Sequence, residues 1–224
     1  MGSKFRYSAP VHYFGSVIKK NTGPIETGTF YHVYNRGING QNLFFHPRNY
    51  EFFLRKYAEY ITPAADTYAY CLLPNHFHLL IKTKSAPEII SNLPLLEQHA
   101  APEIVSLRFS HFFNAYAQAI NKQQNPTGGL FETPFRRTPV SNAGYLCNLV
   151  HYIHSNAQKH RLVADFKEYP YSSFQSFRSP KESRLKRSEV YDWFESAAAF
   201  MKIHQSEYQH GRDVFFRDVI IEFD

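Results

Sequence analysis

Two cysteines in 224 residues, Cys71 and Cys147, are too few for a disulfide-built scaffold. They stand in no C-x-x-C arrangement, which argues against a thiolate zinc site and suits a reducing cytoplasm. No segment approaches the about eighteen apolar residues that a membrane span needs. The opening stretch, MGSKFRYSAPVHYFGSVIKK, holds no apolar core of signal-peptide length. A soluble, cytoplasmic protein with no membrane partner is therefore expected. Long blocks of like charge are also missing. The net charge of +6 is dispersed, and it favours an anionic partner without naming one. No internal repeat is visible.

Aromatics are plentiful, with 21 Phe and 16 Tyr, and there are 12 His. Residues 1–25 are polar and read as an extension. From Thr29, TFYHVYNRG alternates and is rich in aromatic and β-branched residues, so a strand is expected to end at Arg36-Gly37. Pro47 suits the first position of a helix in which Tyr50, Phe53, Leu54, Tyr57 and Ile61 recur at helical spacing. DTYAYCLL and HFHLLIKT read as strands joined by a Pro-Asn turn. Three prolines make 85–105 a loop with a short helix, and Phe109, Phe112, Phe113, Tyr116 and Ile120 then form a helical stripe.

GLFETPFRRTPV reads as a fourth, irregular strand, and SNAGYLCNLVHYIHSNAQKH as a helix capped by Ser141. The order β-α-β-β-α-β-α implies an α+β fold, an antiparallel sheet with helices packed on one side. The domain is expected over 26–178. Residues 179–224 form a charged and then helical tail, with a short apolar end.

The sequence LPNHFHLLIK places His76 and His78 on one face of a strand and Phe77 on the other. Two neutral imidazoles about 6–7 Å apart at their Cα atoms can converge on one ion. Two structural histidines would give the same pattern. In YLCNLVHYIHSN, Leu146, Leu149, Val150 and Ile153 make a buried stripe, with Tyr152 and Asn156 one turn apart on its flank. They are either groups reaching an ion on the sheet or, for Tyr152, a boundary aromatic with a wet hydroxyl.

FYHVYNRG, YAYCLLPNHFHLLIK, GLFETPFRR, YLCNLVHYIHSNAQKHRLV and YPYSS together resemble the single-tyrosine HUH transposases, in order and spacing, from about Phe30 to about Phe177. The segment after Tyr152 resembles the Y-I-H-x-N-P signature of the REP-associated branch, and departs from it at Ala157, where the family usually has proline. The resemblance implies an RRM-like or ferredoxin-like HUH domain. It also implies a divalent cation, Mg²⁺ or Mn²⁺, held by His76, His78 and Asn156, and Tyr152 as the nucleophile on single-stranded, hairpin-forming DNA. Asn35, Arg36, Arg136, Arg137, Lys159 and Arg161, with His160, stand where phosphate contacts are expected. His154 is expected to play a structural or supporting part. A monomer is expected from the REP-associated branch, and a dimer from the insertion-sequence relatives. Two other functions remain open: a non-catalytic DNA- or RNA-binding module on the same fold, and a metallohydrolase in which Tyr152 is a bystander.

Overall fold

The computed structural model describes residues 25–124 and 128–205. The elements are β1 (Phe30–Arg36), α1 (Pro47–Ile61), β2 (Ala65–Leu73), β3 (His76–Thr83), α2 (Ala86–Asn92), α3 (Ala101–Gln124), β4 (Arg136–Val140), α4 (Ala143–Lys159), α5 (Phe174–Arg178), α6 (Arg187–Trp193) and α7 (Ala197–Gln205). The four strands form one sheet in the order β2-β3-β1-β4, antiparallel throughout. That order, with α1 and α3 as crossovers, is the ferredoxin-like βαββαβ arrangement.

Helices cover both faces of the sheet, not one. Tyr31, Val33, Leu72, Phe77, Leu79 and Ile81 face α1 and α3, where Phe53, Tyr57, Phe109, Phe112 and Tyr116 complete a first core. Cys71, Leu73 and Leu80 face the other way, onto α4 and the helices after it. The reason is written in the strands: Leu72-Leu73 and Leu79-Leu80 are adjacent apolar pairs, and a strand with one wet face would alternate instead. The register shifts between Thr67 and Ala69, and Tyr68 and Ala69 both join the second core.

α1 begins as expected. Pro47 opens the helix, and the Asn49 side chain accepts from the backbone N–H groups of Phe45 and His46. α3 starts at Ala101, earlier than the aromatic stripe suggests, because Ile104 and Val105 extend the same buried face. Pro87, Pro94 and Pro102 all lie in the opening turns of helical segments, where no N–H is missed. β4 is shorter than GLFETPFRRTPV: Phe131 makes one bridge to Gly37, and pairing resumes only at Arg136. α4 is capped by Asn142, whose side chain accepts from the Gly144 N–H at 2.8 Å, and not by Ser141.

The two ends of the expected domain also move. Ile25 is buried in the first core, so the packed structure reaches into the expected extension, whose remaining residues lie outside those described. Residues 187–205, within the helical tail, pack against the second core. Val190, Phe194 and Phe200 are buried in the second core, and Phe200 stacks on Phe177 at 4.8 Å and on His204 at 4.0 Å. The apolar end at 213–223 lies outside the described residues. Replacing Phe200 with alanine is expected to lower unfolding free energy by about 3–5 kcal/mol. Urea denaturation should show that loss within a single cooperative transition, because α7 shares a core with α4 and the sheet.

Candidate metal and nucleophile site

In the β1–β3 register Tyr34 lies opposite His78 and Arg36 opposite His76, so these four side chains share the face that α4 covers. His32, two residues before Tyr34, is on the same face. Tyr152 and Asn156 come down onto it from successive turns of α4. The ring centroids of His76 and His78 are 5.3 Å apart and nearly perpendicular, at 87°. Tyr152 stands edge-on to His78 at 5.7 Å and to His32 at 6.2 Å. The tyrosine is not on a wet flank, since only 5% of it is exposed.

Hydrogen bonding fixes the form of His76. Its Nδ1 is 2.7 Å from Asn75 Oδ1, and the Asn75 amide nitrogen is turned toward Gly40 O at 3.4 Å. A carboxamide oxygen only accepts, so Nδ1 carries the proton and Nε2 keeps its lone pair. Burial, with the His160 charge second, pushes His76 down to about 3. Burial also holds His78 well below the ordinary imidazole value, helped by His32, His76, His160 and Lys159. Both rings are therefore neutral at neutral pH, the form that ligates a cation.

Asn156 is fully buried. Its carboxamide lies toward His76 and favours the protonated ring, yet neither Oδ1 nor Nδ2 has a partner of full hydrogen-bonding geometry. A buried amide left in that state calls for an explanation. The donor set fits a divalent ion: His76, His78 and the Asn156 oxygen are two nitrogens and one oxygen. Among the described residues no three His, Cys, Asp or Glu side chains are placed to hold a metal, so a carboxamide would have to serve as third ligand.

The expected DNA contacts divide by face. Arg36 and Arg136 lie on the site's side and share Glu132, at 3.5 Å and 3.3 Å. Arg137 pairs across from Val33, on the opposite face, with its guanidinium 4.9 Å over the Phe135 ring. It does not approach the histidines. Asn35 is likewise turned away. It is buried, donates to Glu132 O and accepts from the Arg36 N–H, which makes it a strut between strand ends. Lys159 belongs to the centre of the site, its ammonium 5.3 Å over the Tyr152 ring. His160 is exposed beside His76, with ring centroids 4.7 Å apart. Arg161 is exposed just past the helix end with φ +56°. Open clefts lined by His99, Glu103 and Ser106, and by Arg55, Glu59 and Arg184, include none of these groups.

No family model matches the chain. A Haemophilus influenzae protein provisionally named a REP-associated tyrosine transposase is 30% identical over 113 residues, 49% of this chain and 58% of that protein. A solved REP-associated tyrosine transposase, bound to a REP hairpin, superposes with a TM-score of 0.54 at 16% identity, covering 72% of this chain and 86% of its own. The chain is similar to REP-associated tyrosine transposases, in sequence over 49% of its length and in fold over 72%. At that identity the solved structure speaks for the fold, and the chain spans 58% of the curated relative's length.

Two parts of the site escape a reading for ligands alone. Asn75 orients His76, and the N in N-H-x-H was its only signal. His32 contacts His78, and its signal was the His-Val-Tyr alternation of β1. His154, by contrast, is structural as expected. The chain His204 Nδ1–H to Phe200 O, His154 Nδ1–H to His204 Nε2, Ser173 O–H to His154 Nε2, and Tyr70 N–H to Ser173 Oγ ties α4, α5, α7 and β2 together.

Burial holds His32, His76 and His204 near 3, against about 6.5 in an unfolded chain. The unfolded state therefore takes up protons first. Stability is complete above about pH 6.5 and is lost as pH falls from there toward 3. Thermal midpoints are expected to be level from pH 8 to 7 and to fall steadily below 6.5. In His204→Leu the slope of unfolding free energy should shrink by about 0.7 kcal/mol per pH unit at pH 6.5 and by about 1.4 near pH 5.

Proposed function

We propose that the chain is a DNA strand transferase acting on single-stranded, hairpin-forming DNA, with Tyr152 as nucleophile and a divalent cation, Mg²⁺ or Mn²⁺, held by His76, His78 and Asn156. One observation carries this reading: a tyrosine, two neutral imidazoles and a carboxamide with no bond of full hydrogen-bonding geometry meet in one buried cluster. The hairpin carried by the solved relative supports the substrate class.

Bound there, the cation supplies positive charge to the non-bridging phosphate oxygens and offsets charge in the transition state. Tyr152 Oη forms a bond to phosphorus as the bond to the 3′ oxygen breaks. The phenolic proton goes to solvent, and the departing 3′ oxygen takes one up. The products are a 5′-phosphotyrosine and a 3′-hydroxyl. The phosphoester is conserved, so rejoining needs no nucleotide triphosphate. The Lys159 ammonium stands 5.3 Å over the Tyr152 ring, a fixed positive charge beside the nucleophile. Arg36 and Arg136 offer the strand two guanidinium groups, for which Glu132 competes as a resident anion. The reading carries with it a cytoplasmic monomer.

A binding module on the same fold has one observation in its favour, the 5% exposure of Tyr152, because DNA must open the site to reach the hydroxyl. Incubation with Mn²⁺ and a labelled single-stranded hairpin separates the readings on a denaturing gel. The transferase gives a covalent adduct that Tyr152→Phe abolishes. Cleavage surviving in Tyr152→Phe means a hydrolase, and binding without cleavage means a module. His76→Ala is expected to lose cleavage while keeping DNA affinity within a few-fold; loss of folding instead would mark the histidine as structural. Glu132→Gln, which removes the competing carboxylate, is expected to tighten single-strand binding several-fold at low salt in an anisotropy titration.

A further inference from the structure

We propose that His32 is a positioning residue of this site, accepting the Nδ1–H of His78 so that the Nε2 lone pair of His78 is left for a cation. The proposal rests on the metal reading above. His32 is buried in β1, and its Nε2 lies 3.0 Å from His78 Nδ1. The two rings stack at 5.1 Å with 23° between their planes. A hydrogen bond at that distance puts one hydrogen between the two facing nitrogens, so the bond runs in one of two directions. If His32 donates, His78 carries its proton on Nε2 and has no lone pair there to ligate with. If His78 donates, Nε2 is free to ligate. A cation at Nε2 therefore requires His32 as acceptor.

His76 is built to the same plan with a different acceptor, Asn75 Oδ1, which leaves the same nitrogen unprotonated. The two histidines thus reach one ligating form through two different neighbours, one in the β2–β3 turn and one in β1.

The rest of the His32 ring argues against a packing role. Its Nδ1 is buried and has no hydrogen-bond partner. In the ligating arrangement that nitrogen carries the proton, and a buried donor with no acceptor costs stability. A phenylalanine would fill the same space beside Tyr34, His78 and Tyr152 without that cost. An imidazole is useful here only through the nitrogen it turns to His78.

The test compares Mn²⁺ binding, measured by the EPR signal of free Mn²⁺, in wild type, His32→Phe and His32→Gln, with thermal midpoints in EDTA. His32→Phe is expected to bind Mn²⁺ about 10–100-fold more weakly while its midpoint in EDTA stays within about 4 °C of wild type, because one unpaired buried donor replaces another. His32→Gln, whose Oε1 can accept from His78, should recover part of the affinity. Undiminished binding by His32→Phe overturns the role of His32 and leaves the metal reading intact. No binding by wild type overturns the metal reading and this proposal with it. Long-range ¹⁵N–¹H correlation spectra of Mg²⁺-saturated wild type decide the matter without any variant. His78 as the Nδ1–H form supports the proposal, and His78 as the Nε2–H form overturns it.

Discussion

The antiparallel register between β1 and β3 places Tyr34 against His78 and Arg36 against His76, and everything on the α4 side of the sheet is built on that pairing. Side chains alternate with period two, so a slip of one residue would send His76 and His78 into the first core and Phe77 into the site. Both faces of the sheet are buried, so such a slip would bury charge and imidazole among Phe53, Phe112 and Phe113. The packing that stabilises the fold thereby enforces the position of the histidines.

Burial then sets their chemistry. Taken out of water, the imidazoles of His32, His76 and His78 lose the cationic form, because nothing nearby stabilises a proton as well as water does. The surrounding charges work the same way, since Lys159, His160 and Arg36 all oppose a positive ring. What remains is a set of neutral donors in a place that repels protons, lined by an amide with no bond of full hydrogen-bonding geometry. A divalent ion brings more charge than a proton and can be held by several donors at once, so donors that refuse a proton here would still suit such an ion.

The tyrosine helix needs its own support. α4 lies between the sheet and the C-terminal helices, and the chain of hydrogen bonds from Tyr70 through Ser173, His154 and His204 to Phe200 crosses it from side to side. All its members are neutral and each has a fixed direction of donation, so the chain acts as a rigid brace. Tyr152 and Asn156 flank His154 in sequence and inherit its fixed placement. This ties residues 187–205 to the site they do not touch.

Much of this was legible in the residues. HFHLLIK fixed two histidines on one strand face, and YLCNLVHYIHSN put Tyr152 and Asn156 one turn apart, because those relations follow from the local geometry of a single element. The helix start at Pro47 and the succession of strands and helices along the chain were legible for the same reason. Relations between elements were not. Whether Arg136 or Arg137 faces the histidines depends on the pairing of β4 with β1, and no pattern within RRTPV carries it. That Asn35 is a buried strut depends on Glu132, nearly a hundred residues away in the chain, at a separation of 97. That 187–205 is core depends on Phe200 finding Phe177 and His204. The sequence by itself determined which side chains share a strand face or a helix turn. Only the tertiary structure decided which faces meet, and with them the protonation, burial and partners of every group at the site.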